Sequence, residues 1–462
     1  MGRRRHLPPF ECEITHLGPR GVGLGVAPDG RAVQVRGAPP GARVALVPAG
    51  LRKGRWNGRR TAMVRPPADY AQPACAQFGV CGGCTLQELS LAAQRRAKHA
   101  AGRAEIEAAG TSLEGVVDHG VTGAPSGYGY RNKVELSFGT SRWLTEAQHA
   151  DGLPIDGRFL GFHAPGRFDR VVDAPRCELI SEAANAVLGA VRTVALDPAS
   201  PRPYDARSHE GFWRHLLIRE AGEGLLVVVY TAPSEDPDAA VWVARVAQAL
   251  EGLVVGMQWR LNAGVADVAR GEVEQSWGRP WLEEALGSVV LRVSPDTFFQ
   301  TSTAGCVVLY DTIGAALGSG GTLLDLYCGG GAIGLYLSER FAQVVGVEER
   351  EAAVEDARAN ADRNGVTATY RAARVERALQ EVRSGDDVHV VVDPPRAGLH
   401  PDVARAVAEA QVASLVYVAC KPGSLGRDAV LLAQGGWRMT DLWTVDMFPQ
   451  TGHVEMVARF ER

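Results

Sequence analysis

The fold of this chain is indicated by residues 325–334, which read DLYCGGGAIG and directly follow an apolar segment. Glycine lets the backbone turn sharply and approach a bound ligand where a side chain would clash. Gly329, Gly331 and Gly334 have the spacing G-x-G-x-x-G, and Glu348 ends the next apolar segment, where a carboxylate can accept both hydroxyls of a ribose. These residues predict a nucleotide-type ligand at the first strand of an α/β domain. A purely structural turn is the alternative.

Apolar segments alternate with Ala-rich helical segments around this glycine-rich loop. The strand candidates are residues 322–327, 343–348, 388–393 and 415–420. Such alternation is typical of a doubly wound parallel sheet, which binds its ligands at the carboxyl ends of the strands. The last two strand candidates, around residues 437–445 and 453–460, have no helix between them and predict an antiparallel hairpin at the edge of the sheet.

Three polar motifs lie at the ends of these strands. Asp393 and Arg396, separated by two prolines that fix the turn, can bind a planar base in its own plane. Cys420 precedes Lys421, whose ammonium would favour a reactive thiolate. Glu455 ends the stretch FPQTGHVE, residues 448–455. An ordinary turn, a structural buried cysteine and a surface acid are the alternatives.

Three of the eight cysteines, Cys75, Cys81 and Cys84, lie within ten residues of one another. The two glycines between Cys81 and Cys84 permit a tight loop around a metal, and Cys177 is the best separate candidate for a fourth ligand. Three clustered cysteines with one remote partner are typical of iron–sulfur ligation. Zinc with four thiolates is the alternative, although its usual pattern is a pair of C-x2-C knuckles.

The charge of the chain is uneven. Residues 1–66 carry 13 Arg and Lys against three acidic residues, although the whole chain has a net charge of −4. Short alternating apolar pieces between Gly/Pro turns predict a small antiparallel barrel in this region, and Trp56 lies within its most basic stretch. A basic module with an aromatic residue among its cations predicts binding to the phosphate backbone of a nucleic acid. A basic surface that only contacts solvent is the alternative.

The remaining composition is that of an ordinary soluble protein. The hydrophobic fraction is 46% and the charged fraction 22%. No stretch approaches the roughly 20 apolar residues that span a bilayer, and the basic start at residues 1–6 lacks the apolar core of a secretory signal. The sequence therefore predicts a cytoplasmic protein of several domains without a membrane segment.

Taken together, these motifs resemble the TrmA/RumA family of RNA (uracil-5-)-methyltransferases. The likeness extends over nearly the whole chain and is closest to the branch with an N-terminal TRAM domain and a [4Fe–4S] cluster. Further matching stretches are residues 130–133, 161–163, 214–216 and 298–300. The resemblance implies an α/β class I (Rossmann-like) methyltransferase domain, a mixed α+β central domain and an N-terminal OB-like β-barrel.

The implied domains divide the chain into four parts. They are a TRAM RNA-binding barrel at 8–66, the cysteine cluster with a helix at 67–118, the central domain at 119–290 and the catalytic domain at 291–462. Cys420 would be the nucleophile and Glu455 the base, while Asp393 and Arg396 hold the uracil. Contacts to S-adenosylmethionine carry over to Gln300, Tyr327, Gly329, Glu348 and Asp393. The cluster ligands would be Cys75, Cys81, Cys84 and Cys177.

The implied reaction moves the methyl group of S-adenosylmethionine to carbon 5 of a uridine in structured RNA, through a covalent bond from Cys420 to carbon 6. The architecture favours 23S rRNA, with the T-loop of tRNA as the alternative, and a monomeric enzyme. Lys421 departs from the asparagine that is common in the family.

Two other classes of function use some of the same motifs. A nicotinamide-dependent oxidoreductase would use the glycine-rich loop but would leave Asp393 and Cys420 without a role. A non-catalytic RNA-binding iron–sulfur protein is disfavoured by the presence of both Cys420 and Glu455.

Overall fold

In the computed structural model, which describes residues 7–381 and 385–462, the predicted amino-terminal barrel is present. Its strands are β1 (Phe10–Gly18), β2 (Val22–Val26), β3 (Ala32–Val35), β4 (Arg43–Arg52) and β5 (Arg55–Arg65). They close in the order β1-β2-β3-β5-β4. Alternate residues such as Val33, Val35 and Val44 are buried inside the barrel, as the alternating pattern requires. The basic start at residues 1–6 lies outside the described residues.

Trp56 lies in the core of the barrel rather than on its basic surface. Its side chain is 2% exposed, packs in the apolar cluster of the barrel and donates a hydrogen bond to Asp29 Oδ2 at 3.0 Å. The neighbouring Arg52, Lys53 and Arg55 are exposed. The surface of this stretch is therefore basic without the interleaved aromatic that the sequence suggested.

A helix and a strand follow the cysteine-bearing segment. Helix α1 (Leu91–Ala108) begins after Ser90, whose hydroxyl accepts a hydrogen bond from Ala93 N at 3.3 Å. Strand β6 (Val117–Gly123) comes next. The predicted boundary between residues 118 and 119 falls inside this strand.

The central part of the chain forms a mixed sheet with helices packed against it. Its strands are β7 (Lys133–Ser141), β8 (Asp156–His163), β9 (Val171–Asp173), β10 (Trp213–Ala221), β11 (Gly224–Thr231), β12 (Gly256–Leu261) and β13 (Glu272–Gly278). The order is β13-β12-β11-β10-β7-β8-β9, with β11 and β12 parallel. The helices are α2 (Glu146–Ala150), α3 (Glu182–Ala195) and α4 (Asp238–Ala249). A hairpin, β14 (Leu282–Leu286) and β15 (Val289–Val293), leads to the last part.

The last part is an α/β sheet built as the alternation predicted. Its strands are β16 (Gly320–Leu326), β17 (Phe341–Glu348), β18 (Ala368–Ala372), β19 (Gly385–Val392), β20 (Val412–Ala419), β21 (Arg438–Asp446) and β22 (Glu455–Glu461). Its helices are α5 (Thr303–Leu317), α6 (Ala332–Tyr336), α7 (Glu351–Asn364), α8 (Val375–Glu381), α9 (Pro401–Glu409) and α10 (Pro422–Gln434). Strands β16 to β20 are parallel, in the order β18-β17-β16-β19-β20. None of the helices in the described residues is long and apolar enough to cross a membrane.

The far side of this sheet differs from the sequence-based expectation. Strand β22 pairs antiparallel with β20, β21 pairs with β22, and β6 pairs parallel with β21. The predicted antiparallel hairpin is therefore confirmed, but its position at the sheet edge is wrong because β6 covers β21. Helix α1 packs closely over the hairpin. The Met456 side chain lies so near Gly102 of this helix that a Cβ at that position would collide with it.

Candidate active site

The predicted polar motifs meet at one edge of the last sheet. Asp393 directly follows β19 and Cys420 directly follows β20, so both lie at the carboxyl ends of parallel strands. Strand β22 runs the other way, and its first residue is Glu455. The register pairs Ala419 with Met456, which places Glu455 next to Cys420 across the two strands. The antiparallel return of the chain is what brings the acid to the cysteine.

The glycine-rich loop after β16 is fixed by two carboxylates. Glu348 accepts hydrogen bonds from Gly329 N at 3.3 Å and from Arg350 N at 3.0 Å, while Asp325 accepts one from Gly334 N at 3.0 Å. Tyr327 has a positive φ of 63°, which side chains rarely adopt. Burial raises the pKa of Asp325 to about 7. The loop is thus a turn held by backbone hydrogen bonds, with the Glu348 carboxylate bonded to Gly329 N.

Gln300 lies just before α5 and is tied to the central sheet. Its carbonyl oxygen accepts a hydrogen bond from Asn132 Nδ2 at 2.9 Å, and the same amide donates to Thr303 Oγ1 at 2.9 Å. The adjacent Phe298 is 73% exposed. The predicted cofactor residue Gln300 is therefore positioned by a residue from another part of the chain.

The loop that carries Arg396 is held by α10. Asp428 is fully buried and accepts hydrogen bonds from Leu399 N and Tyr417 Oη, both at 2.7 Å. Arg427 donates to the carbonyl oxygen of Ala397 at 2.8 Å. These contacts leave the Arg396 side chain exposed at the edge of the sheet.

The groups at this edge influence one another electrostatically. Burial, together with the charges of Glu455 and Asp393, raises the pKa of Cys420 to about 11, whereas Arg396 lowers it. Burial and the Asp393 charge raise the pKa of Glu455 well above its usual range, and Arg396 again opposes them. Asp393 is partly exposed, but desolvation raises the pKa of its carboxyl to about 7. The free protein therefore holds Cys420 mainly as the neutral thiol near pH 7.

Lys421 does not have the place that the sequence suggested. Arg396 is the cation that most lowers the pKa of Cys420. Burial raises the pKa of Glu105, and the Lys421 charge opposes that rise. Burial and repulsion by Arg396 lower the pKa of His453 to about 4, so this imidazole is neutral near pH 7. Arg396 is thus the group that favours a thiolate.

The four candidate metal ligands come together in a separate place. Cys75, Cys81, Cys84 and Cys177 line one cavity of about 90 Å³. Burial, and to a smaller extent the neighbouring thiols, raise the pKa of Cys81 to about 11 and that of Cys84 to about 12. Across residues 7–381 and 385–462, no group of three or more His, Cys, Asp or Glu side chains is arranged to hold a metal ion. The structure assembles the thiols, and their metal remains a prediction.

Sequence reasoning missed the buried polar side chains that hold the site loops. They are Gln94, Lys98, Asp428, Asp446 and Gln450. Gln94 and Lys98 are four residues apart in an Ala-rich helix, so the sequence predicts that they lie on the same face of the helix. It does not show that this face is buried.

Comparison with known proteins identifies the family. The family model for tRNA (uracil-5-)-methyltransferases matches residues 287–462. A tRNA (uracil(54)-C(5))-methyltransferase of Pyrococcus horikoshii is 31% identical, over 83% of this chain and 84% of its own length. The chain belongs to the RNA (uracil-5-)-methyltransferase family.

Two further comparisons extend over almost the whole of this methyltransferase. An uncharacterized RNA methyltransferase of Chlorobaculum tepidum is 37% identical over 98% of the chain and 96% of its own length. The crystal structure of the Pyrococcus abyssi tRNA (uracil-54, C5)-methyltransferase in complex with S-adenosyl-L-homocysteine matches with a TM-score of 0.75. That protein is 26% identical, and the match covers 98% of this chain and 100% of the other.

The predicted family and enzyme class of this uracil-5 methyltransferase are confirmed, and the oxidoreductase alternative is wrong. The mixed α/β methyltransferase fold with a closed barrel at its amino-terminal end is confirmed as well. The roles of single residues, the iron–sulfur branch, the RNA target, the monomeric state and the cytoplasmic location stay predictions.

Proposed function

We propose that this enzyme uses S-adenosylmethionine to methylate carbon 5 of a uridine, through a covalent bond between Cys420 and carbon 6 of the base. The observation that carries the proposal is the register of β20 and β22, which sets Cys420 beside Glu455 at the carboxyl edge of the sheet. Asp393 and Arg396 share this edge and interact electrostatically with both groups.

The reaction follows from the chemistry of these side chains. Carbon 5 of uracil is a weak nucleophile. The Cys420 thiol first loses its proton to solvent, and addition of the thiolate to carbon 6 then gives an enolate over oxygen 4, carbon 4 and carbon 5. Arg396 and Asp393 hold the edge of the ring, and the Arg396 charge stabilises both the thiolate and the enolate. When bound, S-adenosylmethionine would supply the methyl group to carbon 5 and leave as S-adenosylhomocysteine. Glu455 then accepts the proton of carbon 5, and elimination releases Cys420 from carbon 6.

The raised pKa of Glu455 suits the role of a base. A buried carboxylate is poorly solvated, so once it is deprotonated it binds a proton more tightly than an exposed glutamate does. The carbon acid that it deprotonates is weak, and a strong base is needed. Arg396 keeps the charged form accessible.

The glycine-rich loop is the proposed cofactor site of a class I (Rossmann-like) methyltransferase domain. The Glu348 carboxylate is oriented by Gly329 N and Arg350 N and keeps lone pairs for the two ribose hydroxyls. Gly331 has a φ of 80°, and a Cβ there would collide with the Tyr370 ring. Further contacts would come from Gln300, Tyr327 and Asp393. The residues present therefore fit the cofactor.

Arg396→Gln is expected to raise the pKa of the Cys420 thiol above about 11, because Arg396 is the cation that favours the thiolate. Only the thiolate is alkylated, so the rate at pH 8 should fall by about three- to tenfold. The measurement is the iodoacetamide alkylation rate of the Cys420 peptide against pH, followed by mass spectrometry. Lys421→Gln is the matched control and should leave the profile almost unchanged. A larger effect of Lys421→Gln than of Arg396→Gln would contradict this assignment.

We also propose that Cys75, Cys81, Cys84 and Cys177 hold a [4Fe–4S] cluster. Four thiols from two distant segments share one cavity, and burial is the main cause that raises the pKa of each of them. An iron–sulfur cluster would be held by the deprotonated sulfurs. Zinc with four thiolates is the competing assignment.

Protein purified without oxygen is expected to be brown, and Cys81→Ser is expected to be pale. The reason is that loss of one of four thiolates weakens an iron–sulfur cluster. Visible absorbance and metal analysis measure the difference, and Cys12→Ser, in the barrel core, is the control. One equivalent of zinc in the colourless wild-type protein would overturn the iron–sulfur assignment.

The target is a uridine of structured RNA, reached when it is unstacked or lies in a loop. The TRAM-like basic barrel beside the cysteine segment is the proposed RNA-binding surface. The combination of this barrel with the cysteine segment favours 23S rRNA as the substrate. A second candidate, the T-loop uridine of tRNA, is favoured by the relatives that act on uracil 54 of tRNA. Mapping of 5-methyluridine in rRNA and tRNA of a deletion strain decides between them. If neither RNA loses 5-methyluridine, the proposed reaction is wrong.

A further inference from the structure

The loop that leads to Glu455 is held from α1 by two buried side chains. Residues 447–454 join β21 to β22. Lys98 Nζ donates to Asp446 Oδ1 at 2.5 Å and to the carbonyl oxygen of Phe448 at 2.9 Å. One turn earlier in α1, Gln94 accepts a hydrogen bond from Gln450 N at 2.7 Å and donates to Gln450 Oε1 at 2.8 Å. Helix α1 thus binds the loop at two points.

Gln450 has an unusual backbone conformation that its partners stabilise. Its φ is 68°, in the left-handed region that favours glycine, and its side chain is buried. The carbonyl oxygen of Gln450 accepts hydrogen bonds from Thr85 N at 2.9 Å and Leu86 N at 3.0 Å. These two residues directly follow Cys84. The end of the cysteine-bearing segment therefore contacts the loop directly.

Two other parts of the chain contact the same loop. Tyr130, which precedes the central sheet, donates a hydrogen bond from its hydroxyl to the carbonyl oxygen of Pro449 at 2.9 Å. Gly452 lies against the barrel. The backbone of Arg20 and Gly21 is so close that a Cβ on Gly452 would collide with it. The barrel, the cysteine segment, α1 and the central part all meet at residues 448–452.

The Glu455 carboxylate depends on this loop for its position. Within the described parts of the chain, no hydrogen bond holds the carboxylate itself, and its interactions with Asp393 and Arg396 are electrostatic. Its place is therefore set by the main chain on either side. On the amino-terminal side that main chain is the loop held at Gln450.

We propose that Gln94 and Gln450 are positioning residues for Glu455. They couple the cysteine-bearing segment to the step in which the proton leaves carbon 5, and they act less on RNA binding or on attack by Cys420. The inference rests on the proposed function, since it takes Glu455 as the base. Cys420 follows a different strand and needs no contact with this loop to keep its place.

The test separates the two chemical steps in Gln94→Met, which removes both hydrogen bonds to Gln450 at nearly constant volume. Attack and methyl transfer are followed by covalent trapping on 5-fluorouridine RNA, and proton removal by release of tritium from RNA labelled at carbon 5 of uridine. Proton release should slow by about tenfold or more, because small displacements of a catalytic group have large effects on rate. Trapping and the KM for RNA should change by less than about threefold.

Gln258→Met is the matched control, since Gln258 is also buried and accepts hydrogen bonds from Arg260 in the central sheet. It should leave both rates unchanged. Gln450→Met keeps the main-chain contacts to Thr85 and Leu86, and it should slow proton release in the same direction but less. Equal slowing of both steps in Gln94→Met, or no slowing, overturns the positioning role. Absence of trapping by the wild-type enzyme would instead overturn the proposed function.

Discussion

Cys420→Ala is expected to abolish methyl transfer, with a loss of at least about 10⁴-fold. Among Cys420, Asp393, Glu455 and Arg396, the thiolate of Cys420 is the strong nucleophile, whereas the two carboxylates are weaker ones and Arg396 is a cation. Without that bond carbon 5 stays a weak nucleophile, and positioning alone leaves only a small residual rate. The measurement is transfer of labelled methyl groups to RNA, together with a denaturing gel of the complex with 5-fluorouridine RNA. A covalent band in the Cys420→Ala protein would remove Cys420 as the nucleophile.

Glu455→Gln is the companion variant, because it separates the two halves of the reaction. The amide cannot accept the proton of carbon 5, so the methylated covalent complex should accumulate on ordinary RNA. Loss of the neighbouring carboxylate should also lower the pKa of Cys420, since the Glu455 charge raises it. Attack at pH 8 should therefore be at least as fast as in the wild type. Normal turnover by Glu455→Gln would show that another group is the base.

Lys98→Met is expected to lower the free energy of unfolding by about 3–5 kcal/mol. The Lys98 ammonium and the Asp446 carboxylate are 1% and 0% exposed, and they form the only ion pair in the described residues in which both side chains are this deeply buried. Methionine fills the space of the lysine stem but leaves the Asp446 charge buried without its closest partner. Urea denaturation followed by fluorescence measures the change.

The control for this loss is Arg405→Met, which breaks the exposed pair with Asp402 and should cost less than about 1 kcal/mol. Lys98→Met combined with Asp446→Leu should recover part of the stability, since it removes both charges together. If Lys98→Met is no more harmful than Arg405→Met, the pair contributes little to the fold.

The parts of the site that the sequence predicted are set by local chain direction. Asp393 and Cys420 follow apolar strands of a βαβ pattern, and parallel strands end at the same edge, so their proximity follows from the pattern alone. The proximity of the glycine-rich loop to Glu348 follows in the same way, because the loop follows one parallel strand and Glu348 ends the neighbouring one. For these residues sequence order and spatial order are linked by simple geometry.

The parts that it did not predict depend on contacts between distant segments. Trp56 looks like a surface residue because its neighbours are basic, yet the alternation of β5 turns it into the core. From the sequence, Lys98 resembles an exposed residue of an Ala-rich helix. Its side chain is buried because β21, which ends at Asp446, packs against this helix. Lys421 lies directly before α10, and its charge acts on Glu105 in α1, a contact between segments that the sequence does not show. Such outcomes depend on which segment packs against a residue.

The pairing of β6 with β21 has a consequence for how the chain folds during synthesis. His119 and Asp441, bonded across these strands, are 322 residues apart in the sequence. Chains that depend on such distant pairings fold slowly, and their unpaired strands are prone to aggregate. While the ribosome makes the central part, β6 has no partner, and neither do the polar side chains of α1 that later bind residues 446–450. We therefore expect that a nascent chain needs protection at this strand, and that a fragment limited to residues 287–462 leaves β21 open to pairing with other chains.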